Sequence, residues 1–386
     1  MSLTTINDTA TLADVCARFA THPYVTVDTE FVRETTFWPD LCLVQVASDD
    51  EAVLIDPLAE GIDLTPLHDL MANKDVIKVF HAARQDVEIF YKLSGKLPEP
   101  LFDTQVAAMV CGFGDSIAYD QLVRRICGAH IDKSLRFTNW KLRPLSQQQL
   151  EYALADVTHL RDVYKFLKDK LAEEKRTHWL AEEMDILTTP KTYDLPPAEA
   201  WTRLKLRIKK PIEFAILKNL AEWRETEART RNVPRNRIIK DDAIYEISQS
   251  QPKDTNALAR LRTLHKGFEK SSNGRAILEC VARAHALDRD ELPKIPRPSH
   301  SPEGTSAAVD LLKVLLKLTA EEYDVAVKII ASSDQLEQIA ILGEQADVPA
   351  MKGWRKELFG ERALKLLNGK SGLRFENRKI GVVDIE

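Results

Sequence analysis

The chain reads as a mixed α/β domain followed by two all-α helical units. Its first 100 residues alternate short apolar runs with turns, the strand pattern stops after a proline-rich stretch at 188–201, and 386 residues exceed what one hydrophobic core organises.

Taken in order, YVTVDTEF, LCLVQVAS, AVLIDP and VIKVF are strands by their β-branched and aromatic content. The gap between the second and third is a few residues rich in Asp, which suits an antiparallel hairpin, whereas helical text (PLHDLMANK) precedes the fourth. A mixed sheet follows. Residues 82–92 turn helical around Val87, Ile89 and Phe90, and Asp103 is placed to cap a second helix beginning at TQVAAMV. A long helix spans 147–174, with Leu150, Leu154, Val157, Tyr164, Leu167 and Leu171 at spacings of three and four. TTPKTYDLPPAEAW (188–201) is a loop by its prolines, 206–288 is helical, and LPKIPRPSHSPEG (292–304) links to a last helical stretch. The expected units are therefore 1–200, 206–288 and 304–386, with GLRFENRKIGVVDI an extended tail packing back.

A content of 44% hydrophobic and 29% charged residues is that of a globular protein. MSLTTINDTATL lacks a basic n-region and an apolar h-region, and no apolar run approaches a membrane span, so a cytoplasmic location is expected. Cysteines at 16, 42, 111, 127 and 280 show no Cys-x-x-Cys pair, which fits neither a disulfide framework nor a zinc site. The net charge of -5 hides an asymmetry: residues 1–100 carry seven Lys/Arg against seventeen Asp/Glu, and residues 201–240 twelve against four. The acidic end suits cations and the basic segment a polyanion, or both are solvated faces.

In VTVDTEF, Asp28 and Glu30 stand two apart, so a strand puts both on one face. Like charges that close persist in open water or with a cation between them. Asp86 lies early in the helix after VIKVFH, where a β-to-α connection projects over the sheet's carboxyl edge. Tyr152 and Asp156 are four apart on the long helix and share a face near its apolar stripe. Brought together, four carboxylates and a phenol suit two Mg²⁺ or Mn²⁺ ions roughly 3.5–4 Å apart, the arrangement for phosphodiester hydrolysis.

VDTEF, HAARQD and YALAD resemble the three motifs of the DEDDy 3′-to-5′ exonucleases. VDTEFVRETTFWPDLCLVQVA, LFDTQVAAMVCGFG and the KS…W…RPLS…QLEYALADV stretch are similar to the ribonuclease D family in particular. The resemblance implies a ribonuclease H-like exonuclease fold with a mixed five-stranded sheet. It implies that Asp28 bridges two divalent ions, Glu30 and Asp156 complete one shell, Asp86 holds the second ion directly or through water, and Tyr152 positions the nucleophile. WRETEARTRNVPRNRIIKDDAIYEISQSQPKDTNALARL resembles the helicase-and-ribonuclease-D C-terminal (HRDC) domain, and 304–386 by position a second, divergent one. The implied activity is removal of nucleoside 5′-monophosphates from RNA 3′ ends, with transfer RNA precursors as partners and a monomeric protein.

The chain departs from the family text at Thr138, Asn139 and Trp140, where Ser-Asp-Trp is common. Lys133, Trp140 and Arg143 either cradle phosphate and stack a base or form a core Trp with solvated basic neighbours. His81 reads as a structural histidine bonded to backbone. A DNA-directed exonuclease remains open, since nothing in the motifs shows a 2′-hydroxyl contact, as does a noncatalytic RNA-binding scaffold using the helical domains alone, against which the intact acidic motifs argue.

Overall fold

The computed structural model describes residues 5–136, 138–296 and 302–385. Strands β1 (Thr5–Ile6), β2 (Tyr24–Val32), β3 (Asp40–Ala47), β4 (Ala52–Ile55), β5 (Ile77–Phe80) and β6 (Leu101–Asp103) form one sheet in the order β1-β4-β3-β2-β5-β6. β2, β3 and β4 run antiparallel, while β5 and β6 continue parallel from β2 and β1 joins β4 in parallel. The sheet is mixed, as expected, and holds six strands rather than five. Its edge strand β1 pairs through only two residues, too few to leave a periodic trace in the sequence.

Helices α1 (Thr9–Phe19), α2 (Thr65–Ala72), α3 (Arg84–Ser94), α4 (Thr104–Val110), α5 (Tyr119–Cys127), α6 (Gln147–Glu173) and α7 (Thr177–Leu187) flank the sheet. Ser146 caps α6 in a reciprocal capping box with Gln149, which sets the start of the helix that carries two site residues. The apolar stripe read from the sequence points inward: Val157, Tyr164, Leu167 and Leu171 are buried. The stretch 188–201 is not simply a loop. Pro190–Thr192 and Pro197–Arg203 are 3₁₀ turns, each opening on a proline whose fixed φ suits a first helical position.

α8 (Pro211–Thr230) and the helices Asp241–Ser250 and Ser272–His285 enclose their own core, including Phe214, Leu217, Leu220, Ile244, Ile247, Ile277 and Val281. This unit meets the sheet domain where Phe37 packs against Ala228 and Ile238 and the Asn232 side chain accepts from the Phe37 and Trp38 amides, at 3.1 and 3.0 Å. The linker expected at 292–304 lies partly outside the described residues.

The last helical stretch behaves differently, because its buried Leu312, Leu315, Ile329, Ile330, Trp354 and Phe359 belong to the same apolar cluster as the sheet. The Ala326 amide donates to Met109 O at 2.9 Å, and a Cβ on Gly112, at φ 80°, would sit 2.5 Å from the Asp324 carboxylate. Glycine is required there. Trp179 stacks on Trp354 with ring centroids 4.3 Å apart. Buried Arg355 donates Nε to Ile329 O at 2.8 Å and pairs with Glu182 at 2.5 Å and with Glu183. β7 (Ser371–Glu376) and β8 (Lys379–Asp384) close the chain as a hairpin, so the extended tail is present. Arg355→Ala is expected to destabilise the protein by about 2 kcal/mol in a thermal melt, since Glu183 loses its charge partner while half-exposed Glu182 rehydrates. A melting temperature unchanged within a degree refutes that role.

Candidate active site

Strand register creates the site. β2 pairs with β5 only through Tyr24, Val25 and Thr26, so its distal half, carrying Asp28 and Glu30, runs past the end of β5 and borders a cleft. This is the carboxyl edge of the parallel strands, where α/β sheets open. A bulge between Glu30 and Phe31 on the β3 side adds local twist at the same place.

Even-numbered residues of β2 face α6. Thr26 Oγ1 donates to Val157 O at 2.8 Å, and Tyr119 on α5 donates its hydroxyl to Asp156 O at 2.7 Å, so two side chains fix the α6 backbone beside the strand. One carboxylate oxygen from each of Asp28, Glu30 and Asp156 lies within 4.8 Å of the others. Asp86 is not among those three. It approaches from α3 on the other side of β2, where the Thr29 hydroxyl donates to its Oδ1 at 2.5 Å. The offset follows from strand alternation, since Thr29 points away from the face shared by Asp28 and Glu30. All five residues singled out in the sequence, Asp28, Glu30, Asp86, Tyr152 and Asp156, nevertheless line one cavity of about 510 Å³.

Burial and mutual repulsion dominate the electrostatics. Burial, then the neighbouring Asp156, pushes the Asp28 carboxyl well above its ordinary range, and burial plus Asp28 does the same to Asp86. Glu30 is pushed up to about 10 by burial and then by Asp28, with Arg136 opposing. Asp156 is raised to about 7 by burial, and a hydrogen bond from the Tyr152 hydroxyl pulls it back. Four acids so placed cannot all ionise without a compensating cation. Hard, all-oxygen donors at this spacing fit a divalent ion.

Asp103 does cap α4, accepting from the Gln105 amide at 2.8 Å. It also accepts from the amides of Ala82 and Ala83, at 3.0 and 2.8 Å, and so pins the β5–α3 turn in which Ala82 takes a φ of 60°. That turn sets the start of α3 and thereby the height of Asp86, a role that no local pattern announces. His81 is structural, with Nε2 3.2 Å from Ile117 O and burial lowering its pKa.

Arg143 is engaged within the protein. Its guanidinium meets both oxygens of Asp56 at 2.6 Å and also donates to the carbonyls of Cys42, Trp140 and Leu142. Trp140 is buried with Cys42, Leu43, Leu54 and Ala153, its ring centroid 6.1 Å from that of Tyr152. Trp140 therefore takes the core alternative and places the Tyr, whereas Arg143 is not the solvated neighbour expected but is held by Asp56 and three carbonyls. The Lys133 side chain lies outside the described residues. Thr138 donates to Leu135 O and accepts from the Gln149 side-chain amide of α6 at 3.2 Å, and Asn139 Oδ1 accepts from the Lys141 amide. Thr29, Tyr119 and Arg136 also line the cavity, and no spacing in the sequence ties them to the acids.

Among the described residues no helix is long and apolar enough to cross a membrane. Residues 3–172 match the 3′-5′ exonuclease family and residues 213–281 the HRDC domain. The chain is 56% identical to ribonuclease D of Nitrobacter hamburgensis over 97% of this chain and 98% of that one. It is 52% identical to ribonuclease D of Bartonella henselae over 97% and 92%. Its fold superposes on the crystal structure of Escherichia coli RNase D, described as an exoribonuclease involved in structured RNA processing. That match has a TM-score of 0.86 at 28% identity, covering 96% of this chain and 99% of that one. With relatives this similar along nearly the whole length and its acids gathered at the sheet's carboxyl edge, the chain belongs to the ribonuclease D family of 3′-to-5′ exoribonucleases.

Proposed function

We propose that Asp28, Glu30, Asp86 and Asp156 hold two divalent ions, Mg²⁺ or Mn²⁺, and that with Tyr152 they hydrolyse the last phosphodiester of an RNA strand to release nucleoside 5′-monophosphates. The observation that carries this reading is the grouping of the Asp28, Glu30 and Asp156 oxygens within 4.8 Å, with Asp86 and Tyr152 lining the same cavity. Bound divalent ions would supply Lewis acidity at the scissile phosphate and lower the pKa of water.

The chain's own residues supply position and proton placement. Burial and the surrounding acids push the Tyr152 phenol upward, so it stays a neutral hydroxyl. In that form it orients the attacking water, whose oxygen bonds to phosphorus as the bond to the 3′ oxygen breaks and that oxygen leaves protonated. Thr29 holds Asp86, Tyr119 holds the backbone of Asp156, and Trp140 backs Tyr152. Tyr152→Phe is expected to slow turnover by about 10- to 100-fold while Mn²⁺ affinity, read by titration calorimetry, stays within about twofold. An unchanged rate removes Tyr152 from the mechanism.

Structured RNA precursors, transfer RNA among them, are the substrates we infer, handled in the cytoplasm by a monomer organised as units 1–200, 206–288 and 304–386. The E. coli relative's role in structured RNA processing and the basic stretch 201–240 support this. The test uses 5′-labelled RNA and DNA with Mg²⁺, Mn²⁺ or chelator. A 3′-shortened ladder on RNA that chelator abolishes is expected, whereas equal or faster trimming of DNA shifts the assignment to a DNA exonuclease.

A further inference from the structure

Beyond the acidic cavity, the chain leaving β2 borders a second one. Glu30 and Phe31 line the first, and Arg33 and Glu34, just past the end of β2 at Val32, line a cavity of about 380 Å³, so only Val32 separates the two linings along the chain. Its walls come from both the sheet domain and the middle helical unit: Arg33 from the strand end, Arg203 from the connecting 3₁₀ turn, Arg224 from α8 and Arg235 beyond it.

Most of these arginines are committed. Arg33 pairs with Glu88 at 2.8 Å, Arg224 with Asp241 at 2.5 Å, and Arg235 makes a two-pronged contact with buried Glu225 at 2.5 and 2.8 Å. Arg229 takes Glu225 as well, at 3.1 Å. Arg203 is the exception. Its nearest acid among the described residues is Glu225 at 3.7 Å, and both oxygens of that carboxylate are already engaged, so one carboxylate faces three guanidinium groups. Burial and the charges of Arg235 and Arg229 push the Arg203 pKa down, which marks a site short of negative charge. A guanidinium with open donors, half-exposed at a cavity wall, matches the geometry of a phosphate.

We propose that this cavity seats a backbone phosphate of the RNA strand upstream of its 3′-terminal nucleotides, with Arg203 as the principal contact; this rests on the reading of the acidic cavity as the cleavage site. A strand would then be gripped across the junction of the sheet domain and the middle helical unit, and only RNA longer than a few nucleotides would reach the grip.

Binding of fluorescent RNA of two and of about twelve nucleotides, measured by anisotropy in chelator, tests this without depending on turnover. Arg203→Ala is expected to weaken the longer RNA about tenfold and the dinucleotide less than twofold. It should also reduce the salt slope of the longer RNA by about 0.7–1, as for one lost phosphate contact. Arg203→Lys, which retains the charge but not the planar fork, should keep the wild-type salt slope and recover part of the affinity, and shows that the unit still folds. Equal losses at both lengths, or no loss at either, overturn the proposal. Should the wild-type protein bind the longer RNA through Arg203 yet fail to shorten it, the cleavage reading falls while the phosphate seat stands.

Discussion

Asp28→Asn is expected to lower the rate of 3′ shortening of RNA by about 10³-fold or more, and at the same time to raise the melting temperature of the metal-free protein. The first effect follows from position. Asp28 is the acid whose charge is felt at Glu30, Asp86, Tyr119 and Tyr152 alike, so it stands at the centre of the group. On the proposed reading, a neutral amide there would remove the most central of the carboxylates that would hold a divalent ion, and the loss of several kcal/mol of charge stabilisation corresponds to a rate loss of that size. The second effect follows from the same centrality with the opposite sign. Without a cation, burial and its neighbours force the Asp28 carboxyl to keep a proton that the unfolded chain releases, a cost that a neutral amide does not carry, and replacing it relieves Glu30 and Asp86 as well. Trimming that persists within tenfold, or a metal-free melting temperature that falls, would contradict this account.

That pairing of effects shows which parts of the site a sequence can reveal. The i, i+2 acids of β2 and the i, i+4 pair of α6 follow from the periodicities of strand and helix, so their sharing of a face needs no tertiary information. Their convergence needs the register of β2 against β5 and the bonds from Thr26 and Tyr119 to the α6 carbonyls, and these join residues 131 and 37 positions apart. Asp103 illustrates a different limit. Its helix cap is a local pattern, while its grip on the Ala82 and Ala83 amides is a meeting of two loops that only the folded chain brings about. Arg143 looked open to phosphate because a sequence cannot show that Asp56 sits opposite it. Likewise the amphipathic helices of 304–386 announce a buried face but not its partner. That partner proves to be the core of the sheet domain, through Trp354, Phe359 and their neighbours, whereas the middle unit encloses its own. Amphipathicity fixes how much surface a helix buries, and leaves open against what.

The difference in melting temperature between metal-loaded and metal-free protein is expected to widen as pH rises from about 6 to 9, reaching roughly 4 °C, on the order of 3 kcal/mol. The sign comes from the direction of the shifts. Asp156 is raised to about 7 and Glu30 to about 10, and Asp28 and Asp86 are raised as well, so between the ordinary carboxylate range and those values the folded state binds more protons than the unfolded one. Stability contributed by these groups is fully present at low pH and is lost as pH rises through that window. A bound divalent ion takes the place of the protons and removes the loss, which also makes its affinity rise with pH. Other groups pull the opposite way: His81 and Lys78 are both lowered by burial, Lys78 to about 7, and each adds stability as pH rises. They are present with and without metal, so comparing the two melts at each pH cancels them and isolates the acidic group. A gap that stays constant across the range would mean that the pKa values of these carboxylates are not raised in the metal-free fold, which contradicts the burial and repulsion described here.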